Sequence, residues 1–404
     1  MSVRIGDGRL TCDQIERVAR NGEAVELTEA ALQRIAHCRE FVERKVREQA
    51  VVYGITTGIG ELSETILTPE QTERFQRYLV YSHAAGYGDP LEIPDARASV
   101  ASRIAVLSRG HSGIRPLLVR TMAEMLNRGV TPVMCEKGSV GACGDLSPMS
   151  QFALVLIGEG EAFFEGERLP AAEAMRRAGV ETVQFEARDG LASINGSNCI
   201  SGIGALSVVD AERWLKQQDI ATAMTLEALN ANMLAYDERI HRIRGYAGAI
   251  AAAENVRKLT DGSEMLAQEG KKVQDAYAMR STPQVTGAAR DTARFAREQI
   301  ETELNGVGDN PIFFPDEDGG TVLTGANFQG TPMAFGLEYL GTALTTVAVL
   351  SERRTNRLLN PNLSRGLPAF LTKGAGMFSG MMLAQYTAGA LCCEARLLSH
   401  PAAP

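Results

Sequence analysis

Three long stretches of helical periodicity, one of them far longer than an ordinary helix, constrain this chain most. They are "SGIGALSVVDAERWLKQQDIATAMTLEALNANM" (201–233), "GAARDTARFAREQIETELN" (287–305) and residues 331–358. Long helices with apolar residues on several sides bury themselves against one another. They predict a mainly α protein, a long central helical bundle behind a loop-rich N-terminal part. Shorter helical patterns precede them. Residues 27–49 offer Thr28 as N-cap, with Ala31 where a Glu or Gln would complete a capping box. Residues 96–110 and 114–129 each close on Arg-Gly, read as a basic last turn and a C-cap glycine. Strand signals are few: "VTPVM" (130–134), and "AFFEGERLP" (162–170) as a hairpin around Glu165-Gly166. No repeat or Gly/Ser linker divides the chain. We place the division at 195/196, between residues 1–195 and 196–404.

Such helices need more partners than one chain easily supplies, so a closed homo-oligomer is expected. "TPMAFGLEYLGTALTTVAVL" (331–350) is nearly uncharged, but Glu338 sits in its middle and "SERRTNR" continues its periodicity. It is read as a helix buried in protein, not as a membrane span. With 45% hydrophobic and 22% charged residues the chain is globular, and a net charge of −8 argues against a nucleic-acid partner. The opening "MSVRIGDGRLTCDQ" has no apolar core, so no secretory signal is expected. Seven scattered cysteines form no C-x-x-C pair, and His37, His111, His241 and His400 have no metal-ligand spacing. A reduced, cytoplasmic protein without a metal site follows.

Glycine-punctuated stretches recur: "YGITTGIGE" (53–61), "SHAAGYGDP" (82–90), "GSVGACGDLSP" (138–148) and "INGSNC" (194–199). "QDAYAMRSTPQ" (274–284) and "NFQGTP" (327–332) are polar and fall between helices. None is a phosphate loop, since "GITTGIG" lacks a Walker lysine. Each alone reads as a helix-connecting turn. Together they place polar groups beside permissive backbone, a common plan for active-site loops on a rigid frame. Ala142-Cys143-Gly144 has its own chemistry. If a tight turn presses the Gly144 nitrogen onto the Ala142 carbonyl carbon, a five-membered ring closes with loss of water. The heteroatom on Cβ of Cys143 then leaves, and an exocyclic methylidene remains. Gly141 and Gly144 permit the compression, and Asp145 is placed to assist proton transfer.

These stretches, with "ELNGVGDNP" (303–311), resemble in kind and order the motifs of the aromatic amino-acid ammonia-lyases and aminomutases. The likeness covers about residues 50–400. It implies a helical bundle of the fumarase/aspartase kind and a 4-methylideneimidazole-5-one (MIO) electrophile made from Ala142, Cys143 and Gly144 within residues 1–195. It also implies a homotetramer whose sites are shared between subunits. "YSHAAG" and "LLSHPA" look most like the histidine-acting members, which form urocanate. "NFQGTP" and "GITTGIGE" look closer to the phenylalanine- and tyrosine-acting ones.

The resemblance assigns Tyr53 as the base for the β-proton, a task that needs neighbours favouring phenolate, such as the amides of its own loop. Read alone, Tyr53 is equally a packed loop aromatic. Arg280 matches the binder of the substrate carboxylate, with Tyr277 one helical turn away. Asn195 and Gln274 match polar residues that orient substrate and ring oxygen. Phe328 would pack over the cofactor, or serve as a core aromatic. His83 and Met382 match the pocket for the substrate's ring, although a lone buried histidine is often structural. Two departures stand out. Cys143 occupies the family's serine position, so hydrogen sulfide leaves in place of water. The family also continues past "SHPAAP", with a glutamate and further helices of the site. The alternatives left open are a tyrosine or phenylalanine ammonia-lyase, a 2,3-aminomutase, and a silent homologue in which Cys143 does not cyclise.

Overall fold

The computed structural model describes residues 2–316 and 319–402. Its helices in chain order are α1 (Cys12–Ala19), α2 (Glu29–Arg47), α3 (Pro69–His83), α4 (Ile93–Leu107), α5 (Pro116–Asn127), α6 (Leu146–Leu156), α7 (Ala171–Ala178) and α8 (Asp189–Ile194). They continue as α9 (Asn198–Ala228), α10 (Glu238–Arg244), α11 (Ala247–Leu259), α12 (Glu264–Ala267), α13 (Tyr277–Arg280), α14 (Thr282–Leu304), α15 (Thr331–Leu359) and α16 (Met382–Leu398). Short strands pair locally. β1 (Ser2–Ile5) runs parallel to β2 (Ala24–Leu27), and β3 (Tyr87–Pro90) antiparallel to β5 (Cys135–Lys137). β4 (Thr131–Pro132), β6 (Glu161–Phe164) and β7 (Glu167–Pro170) form one antiparallel sheet; β8 (Ile312–Phe314) pairs with β9 (Thr321–Leu323). The protein is mainly α, as its periodicity predicts.

The chain forms two compact units. Among the described residues, 2–209 with 298–316 and 319–334 make the first, and 210–297 with 335–402 make the second. In the first unit α4 is the core helix, with every residue from Ala96 to Leu107 buried. Its small side chains admit close neighbours: a Cβ on Gly202 of α9 would lie 2.6 Å from the Ala98 carbonyl carbon. Arg97 donates to the carbonyls of Val18, Ala19 and Leu126, which the ends of α1 and α5 leave open.

In the second unit the long helices lie side by side. Arg297 of α14 makes a two-pronged bond to Glu212 of α9 at 2.9 and 2.7 Å, and Arg290 pairs with Asp219. Arg354 of α15 donates to Thr282 and Gln218, each at 3.1 Å. The core there gathers Leu226, Leu229, Tyr236, Val256 and Met279.

Thr28 caps α2 through the Ala31 amide without completing a capping box, and the hairpin turns at Glu165-Gly166 as expected. Several boundaries move. Arg109 and Arg128 fall beyond the last turns of α4 and α5; Gly110 and Gly129 beyond them take φ of +77° and +81°. The 201–233 pattern stops as helix at Ala228, where Asn230 turns left-handed at φ +44° and Asn232 caps a separate short helix. α14 starts at Thr282, not 287, because Pro283 fits a first turn, where its missing N–H costs nothing. The β1–β2 and β8–β9 pairs are too short to give a periodic signal.

α15 carries the nearly uncharged stretch expected to be buried in protein. Its most apolar 18-residue stretch has a mean hydropathy of 1.4, yet only 22% of it is buried within the chain. It is the one helix among the described residues long and apolar enough to cross a membrane.

α11 and α14 cross where both backbones lack side chains. A Cβ on Gly287 would lie 2.4 Å from both the nitrogen and Cα of Ala249. Gly287→Ala must therefore push the helices apart. The expected loss is about 1–3 kcal/mol of unfolding free energy, read by denaturant titration.

Candidate active site

Tyr53 stands half-buried at the start of a loop closed on itself. Gly58 donates to the Thr65 carbonyl, Leu67 to that of Thr56, and the Gly60 amide reaches the Tyr53 hydroxyl oxygen at 3.0 Å. Gly54 takes φ +65°, where a Cβ would lie 2.4 Å from Leu191 Cδ2. Gln76, fully buried on α3, ties this loop to α8. Its Nε2 donates to the Gly54 carbonyl at 3.1 Å, and its Oε1 accepts the Leu191 amide at 2.9 Å. No sequence motif pointed to Gln76. The same helix ends in His83, half-buried, whose Nδ1 lies 2.8 Å from the Leu79 carbonyl and 2.9 Å from Ser82 Oγ.

The chain then enters β3, which pairs with β5 and so lays the His83 loop along the start of the 138–148 loop. A Cβ on Gly138 would sit 3.2 Å from Gly86 Cα. Gly141 and Gly144 both adopt left-handed conformations, at φ +73° and +80°. A Cβ at Gly144 would lie 2.9 Å from the Gly196 nitrogen, so a side chain there has no room. Ala142 is half-buried and Cys143 exposed.

Asp145 holds the far end of this loop. Its amide donates to the Gly196 carbonyl at 2.9 Å, and its carboxylate accepts Ser139 Oγ at 2.7 Å. The other carboxylate oxygen takes the Cys199 and Ile200 amides at 2.8 and 3.0 Å, capping the N-terminus of α9. Burial pushes the Asp145 carboxyl up, while Ser139 and the two amides pull it down. Ala142, Cys143 and Gly144 thus sit between fixed points. The small side chains, the paired left-handed glycines and the clamp at Gly196 fit a group made by closing the backbone on itself.

Asn195 is buried, and its side-chain amide donates to the Asn310 carbonyl at 2.7 Å and to Asp309 at 3.3 Å. Asp309 lies between the fully buried Arg103 (3.0 Å) and Arg188 (2.8 Å). Arg103 also donates to the Asn195 carbonyl at 2.9 Å. The Phe328 carbonyl accepts Ser197 Oγ at 2.5 Å, and the Gly330 amide donates to Gly141 at 2.9 Å. Phe328 is half-buried on a loop fastened to the cyclisable one, not a core aromatic. The first unit therefore brings together the loops of Tyr53, His83, Ala142-Cys143-Gly144, Asn195 and Phe328.

In the second unit Gln274, Tyr277 and Arg280 line one cavity of about 480 Å³. Tyr277 and Arg280 lie on α13, with the guanidinium 4.3 Å from the Tyr277 ring centre and its Nε donating to the Asp275 carbonyl at 2.9 Å. Tyr277 is 71% exposed. Met382, at the start of α16, does not line this cavity. A cavity of 690 Å³ in the first unit, bordered by Val51, Thr56, Leu67 and Phe185, holds none of the predicted residues. Among the described residues no three His, Cys, Asp or Glu side chains group as around a metal ion.

The family model described as "Aromatic amino acid lyase" matches residues 10–404. The histidine ammonia-lyase of Caldanaerobacter subterraneus subsp. tengcongensis is 46% identical over 99% of this chain and 78% of that protein. That of Symbiobacterium thermophilum gives the same figures. Among solved structures, a tyrosine aminomutase from Streptomyces globisporus superposes with a TM-score of 0.93 at 35% identity, covering 98% of this chain and 78% of that one. Histidine ammonia-lyase from Trypanosoma cruzi gives a TM-score of 0.90 at 38%, covering 99% and 75%.

Glu303 belongs to a motif the sequence flagged, but its place comes only from the structure. A Cβ on Gly308 would lie 2.5 Å from its Oε1, and Gly308 packs in turn against Gly196. Burial, with the negative charge of Asp145, pushes its carboxyl up from 4.5 to about 7. The folded protein therefore holds a proton that the unfolded chain releases above about 4.5, and stability falls as pH rises between these values. Glu303→Gln should flatten that decline and stabilise the protein at pH 8 by on the order of 3 kcal/mol. Melting temperatures of both proteins across this range are the measurement.

Proposed function

The chain belongs to the aromatic amino acid lyase family, and from that premise we propose that it eliminates ammonia from histidine to give urocanate. It is a carbon–nitrogen lyase of the ammonia-lyase kind. The observation that carries the reading is the loop clamped between Gly141 and Asp145, with Cys143 exposed at its middle. We assign that loop to MIO. The Gly144 nitrogen bonds to the Ala142 carbonyl carbon, whose oxygen leaves as water. Cys143 then loses its Cα proton and its thiol as hydrogen sulfide. Once formed, the group supplies an electrophilic carbon that captures the substrate amine and makes it a better leaving group.

The remaining work falls to side chains. Arg280 holds the substrate carboxylate, with Tyr277 beside it. Tyr53 removes the β-proton, its hydroxyl fixed by the Gly60 amide. Asn195 donates its amide protons into the Asp309–Asn310 turn, which leaves its carbonyl oxygen for the substrate side. Gln274 shares that orienting task. His83 faces the imidazole, Met382 lines its pocket, and Phe328 packs over the ring group.

The ring-bearing part, residues 1–195, and the long-helix part, residues 196–404, each supply some of these groups. The site is completed in a homotetramer. Support for the assembly is the uncovered apolar strip on α15 and α16, where Tyr339, Leu391 and Leu397 are 56%, 59% and 78% exposed. Copies of the chain, not lipid or nucleic acid, cover it in our reading. All seven cysteines are free, which suits a reducing cytoplasm.

The likeness to a tyrosine aminomutase favours one competing reading, in which the same residues return ammonia to the β-carbon. A β-amino acid among the products would decide for it, and the same product analysis with tyrosine and phenylalanine tests substrate choice.

Intact mass tests maturation. The mature chain should be lighter than the encoded one by one hydrogen sulfide and one water, and Cys143→Ala should lose both that deficit and turnover while keeping its fold. An unmodified wild-type mass without turnover would mean a silent homologue. Tyr53→Phe should keep the deficit but lower kcat by about 100- to 10,000-fold, followed by urocanate absorbance.

A further inference from the structure

One side chain bonds to both ends of the turn that carries Cys143. The Ser139 hydroxyl donates to an Asp145 carboxylate oxygen at 2.7 Å, and its Oγ accepts the Gly141 amide at 3.1 Å. A hydroxyl has one proton to give and lone pairs to receive with. Here it gives the proton to the carboxylate and receives the amide. A donor whose acceptor is ionised makes a stronger bond than a neutral pair, and a hydroxyl engaged on both sides is polarised by both partners.

The two groups that Ser139 joins are themselves anchored. The Gly141 carbonyl accepts the Gly330 amide at 2.9 Å. The Asp145 amide donates to the Gly196 carbonyl at 2.9 Å, and its second carboxylate oxygen takes the amides of Cys199 and Ile200. Packing does little for the corner where Ser139 sits, since Val140, between Ser139 and Gly141, is 73% exposed. Gly141 and Gly144 add backbone freedom at either side of Ala142-Cys143, at φ +73° and +80°. The hydroxyl is therefore the link that closes the turn across its mouth.

Ring closure requires the Gly144 nitrogen to stay against the Ala142 carbonyl carbon. The bond between them forms as the Ala142 oxygen leaves in water, which takes the hydrogens of the Gly144 and Cys143 amides. A loose turn spends most of its time in open conformations, so the step gains from any bond that holds the ends together beforehand. We propose that Ser139 is a strap for this step: by bonding Gly141 and Asp145 at once, it holds Ala142-Cys143-Gly144 in the compressed turn and sets the rate of ring closure. It is a positioning residue, because it acts through the two ends and exchanges no atom with the ring. The inference rests on the reading that these three residues close to MIO.

The test follows ring closure by mass, not by turnover. Wild type, Ser139→Ala, Ser139→Thr and Thr28→Ala are made as full chains by cell-free synthesis. Synthesis is stopped, and the intact mass of each chain is read over time. Closure shows as the loss of one water, ahead of hydrogen sulfide. Ser139→Ala should lose that water about 10- to 100-fold more slowly than wild type. Ser139→Thr keeps a hydroxyl and should follow wild type. Thr28→Ala removes the cap of α2 in the same unit, so it should lower the melting temperature and still close at the wild-type rate. Equal rates for Ser139→Ala and wild type would overturn the proposal. So would Ser139→Thr or Thr28→Ala closing as slowly as Ser139→Ala, since the hydroxyl would then not be the cause. A wild-type mass that never falls would overturn the MIO reading itself, and the strap with it.

Discussion

A carboxylate held between two guanidinium groups, with all three fully buried, organises the centre of the first unit. Asp309 faces Arg103 on one side and Arg188 on the other. Burying such charges is costly, and they are tolerated only where every remaining donor finds an acceptor. Here Arg103 reaches the carbonyls of Ala192, Asn195 and Gly308, and Arg188 those of Ser112, Asn310 and Pro311. These contacts join α4, the end of α8 and the 308–311 turn. The position of Asn195 follows from them, since its backbone and side chain are both bonded into the cluster. Breaking one partner away from such a cluster typically costs about 3–5 kcal/mol, because it strands a buried charge.

Asp145 does for the glycine-rich loop what Asp309 does for Asn195. It joins the loop's exit to the first amides of α9, so the helix dipole and two orphan donors stabilise a carboxylate beside the Ala142-Cys143-Gly144 turn. Glycine is required at Gly144 for two separate reasons, its left-handed backbone and the approach of Gly196. The rigidity lies in the supports and the freedom in the loop itself. This is the arrangement a backbone cyclisation needs, since compression must be imposed from outside on residues that do not resist it.

Much of this was legible in the residues. The long helices announced themselves by period, Thr28 by its capping chemistry, and the candidate loops by glycine beside Tyr, His and Asn or, around Arg280, by polar residues between helices. The glycines of 138–148 also marked that loop as permissive backbone around Ala142-Cys143-Gly144. Gln76 was not legible as part of the site, and Asp309 and Glu303 stood in a quoted motif without any sign of the groups they would meet. A buried glutamine two turns before His83 has no local signature, and its bonds to Gly54 and Leu191 link segments 22 and 115 residues away. Helix ends moved by a few residues, as at Asn230 and Pro283, because a turn residue or a tolerated proline decides them locally. α15 shows a different limit: apolar composition predicts that a helix will be covered, without saying whether its own chain does the covering.

The amino-acid sequence by itself determined the class of fold, the order of the site-bearing loops and the residue types available for chemistry, because period and backbone permissiveness are properties of neighbouring residues. Tertiary structure alone decided which buried charges pair, which glycines face another backbone, and which buried polar atoms remain without partners. Those outcomes depend on groups far apart in the chain arriving within about 3 Å of one another, a distance at which desolvation and hydrogen-bond geometry take over from local propensity.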